Sequence, residues 1–404
     1  MNLVEIHTIT NKNINWKACD KLCFLSKNLY NQALYTFNEE YKVNKRFIRY
    51  NEMDKLLKNL PEEFNNYKLL TSGISQPTLM LFDKNVKSFL SLINLWKKDK
   101  SKLSGCPKFM NYKPKNGKNI AVIRGDKFVC KYKNGFIHFP KKLNLQPIKT
   151  INVKCQEDLR QVRIVPKSSC YNIELIYEKE EISNNFIGKA SIDLGINNLA
   201  TLTTDNGLCE LYNGKEIKSI NKYFNKLKGK KQGNLIVYQQ RFNSNGLNKL
   251  TAKRNNKIKD KLHKISRKIV NTLEVNKIKE LAIGYNKEWK TSINLGKKTN
   301  QTFVSIPYYR FIEMLKYKCA LMGINVILNE ESYTSKCSSI DLEGIKKQEN
   351  YLGKRIHRGL FKTSKGLLVN ADVNGSLNIG RKVFGDAFVP TNIGLVLNPL
   401  KITF

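Results

Sequence analysis

The hydrophobic periodicity of the chain changes several times, and each change predicts a different kind of element. Residues 1–10 alternate between apolar and polar side chains, which predicts one strand. Residues 15–100 carry apolar residues at spacings of three and four, which predicts amphipathic helices. Residues 119–180 alternate again around Asn134-Gly135, a strong hairpin signal. A small β-barrel that includes the first strand is the economical interpretation.

From residue 188 the pattern indicates a mixed α/β region. A Lys- and Gly-rich segment, 332–370, precedes its last helix and is expected to be a shortened loop. A sheet of hairpins with helices on it and a late helix fits an RNase H-like fold. The expected elements are strands over 189–195, 199–204 and 208–213, helices over 215–277, a strand over 280–286, a helix over 308–323, a strand over 324–330 and a helix from Asp372.

The charge of the chain points to a polyanionic partner. Lys and Arg number 71 against 33 Asp and Glu, a formal net charge of +38, while the hydrophobic content of 41% is enough for real cores. Self-repulsion of this size is relieved by nucleic acid through phosphate contacts. A genome rich in A and T also raises Lys content, but it raises Asn equally and does not readily explain the charge.

The cysteines and the start of the chain bear on location. The nine cysteines include no CxxC pair, which favours a reducing compartment over a disulfide framework. The first ten residues lack a basic region followed by an apolar one, and no apolar run reaches membrane-span length. A cytoplasmic, nucleoid-associated protein without membrane contact is expected.

Two aspartates carry the candidate chemistry. Asp193 ends an apolar strand in ASIDLG, and Asp372 opens a helix in NADVNG. Two metal ions that bridge a scissile phosphate need carboxylates converging from different elements. An acid at a strand end and a second acid on a late helix meet that need. The alternatives are a turn-initiating Asp193 and a helix-capping Asp372.

A third carboxylate is usually required at such a site. The strand 280–286 is where it is expected, but this strand carries Gly284 near its end, and Glu288 lies beyond the strand. The next strand ends in Glu330-Glu331, and two consecutive glutamates offer one that points inward whatever the pleat. The alternative is a solvated acidic turn.

Several separated strings resemble the TnpB family, the RNA-guided nucleases of bacterial insertion sequences that are related to type V CRISPR effectors. The resemblance covers nearly the whole chain in the family's order. It is carried by LSKNLYNQALY (25–35), GCPKFMNYK (105–113), DLGINNLAT (193–201), TAKRNNKIKDKLHKISRKIVN (251–271), YTSKCSSID (333–341) and NADVNGSLNI (370–379).

This resemblance implies a β-barrel wedge domain, an inserted all-α recognition domain and an RNase H-like (RuvC) nuclease domain. It also implies Mg²⁺ as cofactor, a guide RNA, and a double-stranded DNA target beside a short flanking motif that the protein recognises while base pairing recognises the sequence. Either a monomer or a dimer is compatible. The implied domains are a wedge strand 1–12, a helical recognition domain 13–105, the wedge barrel 106–186 and the nuclease domain 187–404 with its insertion 332–370.

The chain departs from the family pattern twice. Where the family's second RuvC segment ends its strand with Glu, this chain has Gly284, and we expect Glu330 or Glu331 to supply the third Mg²⁺ ligand beside Asp193 and Asp372. The family's zinc ribbon needs two CxxC pairs, whereas 332–370 holds only Cys337. No structural zinc is expected there.

Nucleic-acid binding is expected from two basic clusters. The helical stretch 251–271 has an apolar stripe and almost no acids on its charged remainder, although a solvated helix face is the alternative. The predicted contacts are Lys253, Arg254, Lys257, Lys261, Lys264 and Arg267, together with Lys354, Arg355 and Arg358 in the insertion.

Three functions remain open at this point. The first is an RNA-guided DNA endonuclease that uses two metal ions. The second, motivated by Gly284, is a nuclease-inactive relative that binds guide RNA and target DNA as a repressor. The third is a transposase that joins DNA strands with the same acids.

Overall fold

The computed structural model describes residues 1–286, 301 and 304–404, which form two compact units, Met1–Lys179 and Glu180–Phe404. The division lies close to the predicted boundary after residue 186. The finer subdivision of the first unit stays a prediction. Glu288 lies outside the described residues.

The first unit combines three long or medium helices with antiparallel strands. A four-stranded sheet has the order β1-β7-β6-β2, and a three-stranded sheet has the order β3-β4-β5. The elements are β1 (Asn2–Ile9), α1 (Trp16–Asn44), α2 (Tyr50–Lys58), α3 (Ser72–Lys98), β2 (Ala121–Arg124), β3 (Lys131–Lys133), β4 (Phe136–His138), β5 (Ile148–Lys149), β6 (Leu159–Pro166) and β7 (Tyr171–Glu178).

The predicted first strand is part of the larger sheet. Asn2 lies opposite Glu178 and Ile9 opposite Tyr171, so β1 pairs with β7 along its whole length. The predicted hairpin at Asn134-Gly135 joins β3 to β4, and both turn residues have the positive φ that a tight turn requires. In the described part of the chain β1 and β2 are opposite edges of their sheet, and closure into a barrel stays a prediction.

Residues 150–155 lie in the alternating region 119–180, for which strands are expected, but they do not form a strand. This segment turns around the carboxylate of Glu5, which accepts hydrogen bonds from Thr150 Oγ1 at 2.9 Å and from the amides of Ile151 and Asn152, the latter at 3.0 Å. Backbone amides that donate to a side chain are not available to a sheet ladder.

The second unit is mixed α/β, as expected. Its six-stranded sheet has the order β12-β11-β8-β9-β10-β16. The elements are β8 (Gly188–Asp193), β9 (Asn198–Thr204), β10 (Cys209–Asn213), α4 (Lys215–Gln239), α5 (Asn245–Val275), β11 (Ile278–Gly284), α6 (Tyr308–Leu321), β12 (Asn325–Asn329), β13 (Lys354–His357), β14 (Leu360–Lys362), β15 (Leu368–Asn370), α7 (Ala371–Phe384), α8 (Gly394–Leu397) and β16 (Leu400–Ile402).

The directions of these strands bring the ends of three elements together. Strands β8, β9 and β10 form antiparallel hairpins, while β11 and β12 run parallel to β8 and are reached through helices. Parallel neighbours end at the same edge of a sheet, so the carboxyl ends of β8, β11 and β12 lie side by side. Helix α7 packs across β8 and β9.

The expectation of a loop over 332–370 is wrong in part. Strands β13, β14 and β15 form a small antiparallel sheet within this segment. Phe361 and Val369 are fully buried beneath it, so a short apolar alternation is enough to order it. None of the helices in residues 1–286, 301 and 304–404 is both long and apolar enough to span a membrane.

Candidate active site

Asp193 stands at the carboxyl end of the central strand β8. The preceding residue, Ile192, is fully buried, and the sheet continues on both sides through β11 and β9. Gly375 of α7 leaves room for the acid, since a Cβ on that glycine would lie 3.0 Å from Oδ2 of Asp193. A side chain at position 375 would therefore require the Asp193 carboxylate to shift.

Asp372 lies in the first turn of α7 but does not cap the helix. The cap is Asn370, whose Oδ1 accepts hydrogen bonds from the amides of Asp372 at 2.9 Å and Val373 at 3.3 Å. The capping interpretation of Asp372 is therefore wrong. Its carboxylate instead accepts a 2.8 Å hydrogen bond from Nδ2 of Asn198 and faces the guanidinium of Arg355 at 3.7 Å.

Buried hydroxyl groups fix α7 against β8 and β9. Ser191 Oγ donates to the carbonyl of Ser376 at 2.7 Å, and Ser376 Oγ donates to the carbonyl of Ser191 at 3.0 Å. Thr203 Oγ1 lies 2.8 Å from Ser191 Oγ and 2.9 Å from Ser376 Oγ. A fully satisfied polar network of this kind specifies one arrangement, so it sets the position of Asp372 relative to Asp193.

The two candidate glutamates have opposite environments. Glu330 is exposed, accepts a hydrogen bond from Ser332, and lies 3.9 Å from Nζ of Lys382. Glu331 turns inward, and its Oε1 is buried without a hydrogen-bond partner in the described structure. The solvated-turn interpretation thus applies to Glu330 but not to Glu331.

Gly284 creates the space that Glu331 occupies. A Cβ on Gly284 would lie 2.6 Å from Oε1 and 2.8 Å from Cγ of Glu331, and 2.5 Å from Cδ1 of Ile379. Heavy atoms do not pack this closely, so any side chain at 284 would displace the glutamate. The carboxylate of Glu331 therefore lies beside Gly284 at the end of β11.

Mutual repulsion links the three inward acids. Burial, and secondarily the charge of Asp372, raise the pKa of Asp193, while the Arg355 guanidinium opposes the shift. Burial, the charge of Asp193 and that of Glu330 raise the pKa of Glu331, and Lys382 opposes this shift. Asp193 thus interacts electrostatically with both of the other acids.

The donor set fits a hard divalent cation. Mg²⁺ prefers carboxylate oxygen, and a buried carboxylate oxygen with no partner is a costly feature that a bound cation relieves. Thr201 lies opposite Asp193 in the sheet register, and its Oγ1 is a second buried oxygen for which the described residues offer no partner. Within residues 1–286, 301 and 304–404, however, no three His, Cys, Asp or Glu side chains lie close enough to ligate a single ion.

Two site residues were missed by sequence reasoning. Asn198, which holds Asp372, lies within the DLGINNLAT string, whose resemblance to the family gave it no role. Tyr308 begins α6, is 1% exposed, and donates a 2.8 Å hydrogen bond from its hydroxyl to the carbonyl of Gly195. Burial and the charges of Asp193 and Glu331 raise its pKa, so the phenol stays protonated beside the acids.

The predicted basic contacts on α5 divide into exposed and engaged side chains. Lys253, Lys257, Lys264 and Arg267 are exposed, although Lys264 also pairs with Asp260 at 2.8 Å. Arg254 donates to Asn221 Oδ1 at 2.8 Å and to the carbonyl of Ser305 at 2.7 Å, and it stacks on Phe224.

Lys261 is also engaged within the protein, since it binds Glu216 at 2.7 Å and the carbonyl of Phe404 at 3.0 Å. The predicted contacts of the insertion lie at its β13–β14 turn. Lys354, Arg355 and Arg358 are exposed there, and Arg355 donates to the carbonyl of Arg358. This turn carries positive charge to the acidic site, as the 3.7 Å approach of Arg355 to Asp372 indicates.

Carboxylates hold the segment 332–370 together. Glu343, 5% exposed, accepts hydrogen bonds from the amides of Ser338 at 2.7 Å and Leu352 at 2.9 Å. Asp341 accepts from Ser338 Oγ at 2.6 Å and from the amide of Ser364 at 2.8 Å. These two acids join three stretches of the segment.

Hydrogen bonds from side chains of α7 hold the same segment against this helix. Asn374 and Asn378 donate to the carbonyl of Cys337 at 2.9 and 2.7 Å. Arg381 donates to the carbonyl of Glu343 at 3.0 Å. Helix α7 also carries Asp372. Changes in the fold of segment 332–370 are therefore expected to alter the position of this acid.

Comparison with known proteins places these features in a family context. Residues 169–290 match the OrfB_IS605 family, described as a probable transposase. Residues 308–379 match the Cas12f1-like TNB domain. The resemblance to TnpB-type proteins is confirmed. Both candidate aspartates lie within the matched regions, and so do Gly284 and Glu331. No curated protein matches the sequence significantly.

Three solved structures of CRISPR effectors are similar to this chain to different degrees. The protein in the "Cas12f1-sgRNA-target DNA complex" aligns with a TM-score of 0.52 at 16% identity, over 89% of this chain and 81% of that one. A "CRISPR-Cas12f Ternary Complex" aligns at TM-score 0.36 and 14% identity over 89% and 81%. The "mini-RNA-guided endonuclease CRISPR-Cas_phi3" aligns at 0.32 and 15% over 58% and 52%. The first alignment supports a Cas12f-like, RuvC-type fold with mixed α/β content.

Proposed function

We propose that this protein is an RNA-guided DNA endonuclease that hydrolyses phosphodiester bonds with Mg²⁺, and that Asp193, Glu331 and Asp372 are its ligands. The observation that carries the proposal is the buried, unpartnered Oε1 of Glu331, in the space that Gly284 leaves free. An acid held inward beside two other acids is costly in a purely structural role. The same arrangement is favourable when cations bind.

Two magnesium ions would supply Lewis-acid stabilisation of the phosphate and a nucleophilic water. Asp193 interacts electrostatically with both Asp372 and Glu331, and these three carboxylates would hold the ions.

Neighbouring cations and donors orient the acids. Asn198 holds Asp372, and the network of Ser191, Thr203 and Ser376 fixes the helix that carries it. Arg355 can move from Asp372 to a phosphate oxygen, since guanidinium matches both groups in geometry. Tyr308 closes the inner side of the site with a protonated phenol.

The partners follow from charge and from the family context. A net charge of +38 requires a polyanion, and exposed lysines of α5 offer phosphate contacts. Guide RNA and a double-stranded DNA target with a short flanking motif are the partners that TnpB-type proteins imply. Base pairing would then supply most of the sequence specificity.

The direct test is to purify the protein, sequence the RNA that copurifies, and present DNA complementary to it. Cleavage that requires Mg²⁺ and matches the RNA sequence is expected. Asp193→Ala should abolish cleavage while RNA binding stays near normal. Equal loss of both activities would reject Asp193 as a ligand, and joined rather than cut DNA would favour the strand-transfer alternative.

A nuclease-inactive RNA-guided repressor is the second candidate, because Gly284 replaces the expected strand acid. The inward position of Glu331 favours the endonuclease over it. Target binding without cleavage in Mg²⁺, with intact guide RNA, would support the repressor instead.

A further inference from the structure

A basic arm projects from the second unit. We define it as residues 217–259, the distal parts of α4 and α5. The buried residues of α4 are Ile217 and Asn221, both near its start. Residues 222–239 continue as helix beyond them and extend about 27 Å at 1.5 Å per residue. On α5 the continuous buried stripe begins only at Ile258.

The end of this arm exposes large apolar side chains. We call Ile236, Val237, Tyr238 and Phe242 the apolar tip. Val237 is 71% exposed, Tyr238 80% and Phe242 73%. Single exposed apolar residues are ordinary, but four within seven positions at the end of a projecting hairpin form a surface that favours contact with a partner.

The charge of the arm limits what that partner can be. Residues 217–259 contain no Asp or Glu. The basic residues of the arm are Lys218, Lys222, Lys226, Lys228, Lys230, Lys231, Arg241, Lys249, Lys253, Arg254, Lys257 and Lys259. A second copy of such an arm would repel the first, and a basic or neutral protein would leave the charge unrelieved. A polyanion with flat apolar faces meets both demands.

We propose that the apolar tip binds unpaired bases of the guide RNA, which stack on Tyr238 and Phe242 while the lysines of the arm contact the flanking phosphates. Aromatic side chains beside a basic track are the usual means of binding single-stranded nucleic acid, because every base has a face that stacks. This inference rests on the proposed function, since it requires a guide RNA.

We assign the tip to the guide RNA and not to target DNA because the tip needs a partner before any target is bound. An exposed apolar tip is an aggregation hazard in the resting protein, before any target is found. In the proposed function, RNA is the polyanion present at that stage. The apolar tip also lies at the opposite end of α4 from Ile217, which packs in the same core as Ile192 beside Asp193.

The test compares the RNA affinities of the wild type and the variants across one series of salt concentrations. The RNA that copurifies with the wild-type protein is sequenced, transcribed and used as the probe. The double variant Tyr238→Ala/Phe242→Ala should weaken binding about tenfold or more, since each stacked base contributes substantially. The slope of affinity against salt should not change, because no charge is removed.

Matched variants separate stacking from general damage. Tyr223→Ala removes a 65% exposed tyrosine of the arm outside the tip and should change affinity less than about twofold. Tyr238→Phe keeps a stacking ring and should bind as the wild type does. Thermal unfolding of the tip variants should match the wild type, because the substituted side chains are exposed.

Three results would overturn the inference. They are unchanged RNA affinity, weaker binding only to single-stranded DNA of the same sequence, and loss of self-association with RNA affinity unchanged. The last two would assign the tip to a displaced DNA strand or to a second copy. If the wild-type protein binds no RNA, the proposed function fails as well. If the wild type binds RNA and the double variant binds equally, only the tip inference fails.

Discussion

Glu331 Oε1 occupies the position from which a side chain at Gly284 would project: a Cβ there would lie 2.6 Å from this oxygen. The strand that lacks the expected acid and the glutamate that follows the neighbouring strand are therefore complementary in shape. Residue 284 of β11 lies opposite Asn329 of β12 in the parallel register, which brings Glu331 to the end of β11.

Gly284→Ala should reduce cleavage by about tenfold or more, because the added methyl group displaces the Glu331 carboxylate. Overpacking of this kind costs about 1–3 kcal/mol of stability. The measurement is single-turnover cleavage together with thermal unfolding. Gly229→Ala is the matched control, since no atom lies within 4 Å of a Cβ there and alanine favours the helix.

The methyl group of Gly284→Ala would contact Ile379 as well as Glu331, since Cδ1 of Ile379 would lie 2.5 Å from it. A double variant distinguishes the effects of these two contacts. Gly284→Ala/Ile379→Val removes this methyl contact and should recover stability but not cleavage. Full recovery of cleavage would show that strain at Ile379, and not displacement of Glu331, caused the loss.

Mg²⁺ should stabilise the protein more at pH 8 than at pH 5.5. Because the pKa values of Asp193 and Glu331 are raised by burial and repulsion, the folded state holds protons more tightly than the unfolded state does. Their contribution to stability is complete below the ordinary carboxyl range, about pH 4, and is lost as pH rises above it. Magnesium reverses that loss by binding the ionised forms.

The check is the melting temperature with chelator and with Mg²⁺ at both pH values. Glu331→Gln should raise the melting temperature at pH 8 in chelator and shrink the magnesium shift. A magnesium shift that is equal at both pH values and unchanged in this variant would argue against metal binding at these acids.

Glu343→Gln should destabilise the protein by about 2–3 kcal/mol, since the amide cannot accept from both Ser338 and Leu352. Cleavage should fall with it, because Arg381 connects the Glu343 carbonyl to α7. Glu349→Gln makes the same charge change at an exposed position of the segment and should leave both quantities unchanged. Equal effects of Glu343→Gln and Glu349→Gln would contradict a role for Glu343 in holding segment 332–370 against α7.

The sequence allowed the sheet and two acids to be predicted, for identifiable reasons. Asp193 follows a buried apolar run, and Asp372 follows a helix-start pattern, so both signals are local. Which glutamate turns inward was left open, because β12 ends at Asn329 and strand alternation does not reach residues 330 and 331. That choice depends on the space beside Gly284, which is a tertiary property.

Other differences between the sequence-based predictions and the structure arise from contacts between residues far apart in the chain and from very short strands. Sequence reasoning grouped Arg254 and Lys261 with the exposed cations, but their partners Ser305 and Phe404 lie far along the chain. The sheet within 332–370 was missed because its strands have three or four residues and carry little periodic signal. Absence of a structural zinc in that segment stays a prediction.

The most direct measurement compares Glu331→Gln and Glu330→Gln in guide-directed cleavage with Mg²⁺, at equal RNA loading. Both changes preserve shape and remove one charge from adjacent residues. We predict that Glu331→Gln lowers the single-turnover rate at least about a hundredfold, as expected for loss of a direct metal ligand, and that Glu330→Gln stays within a few-fold of wild type. Wild-type cleavage by Glu331→Gln, or equal loss in both variants, would contradict Glu331 as the third ligand.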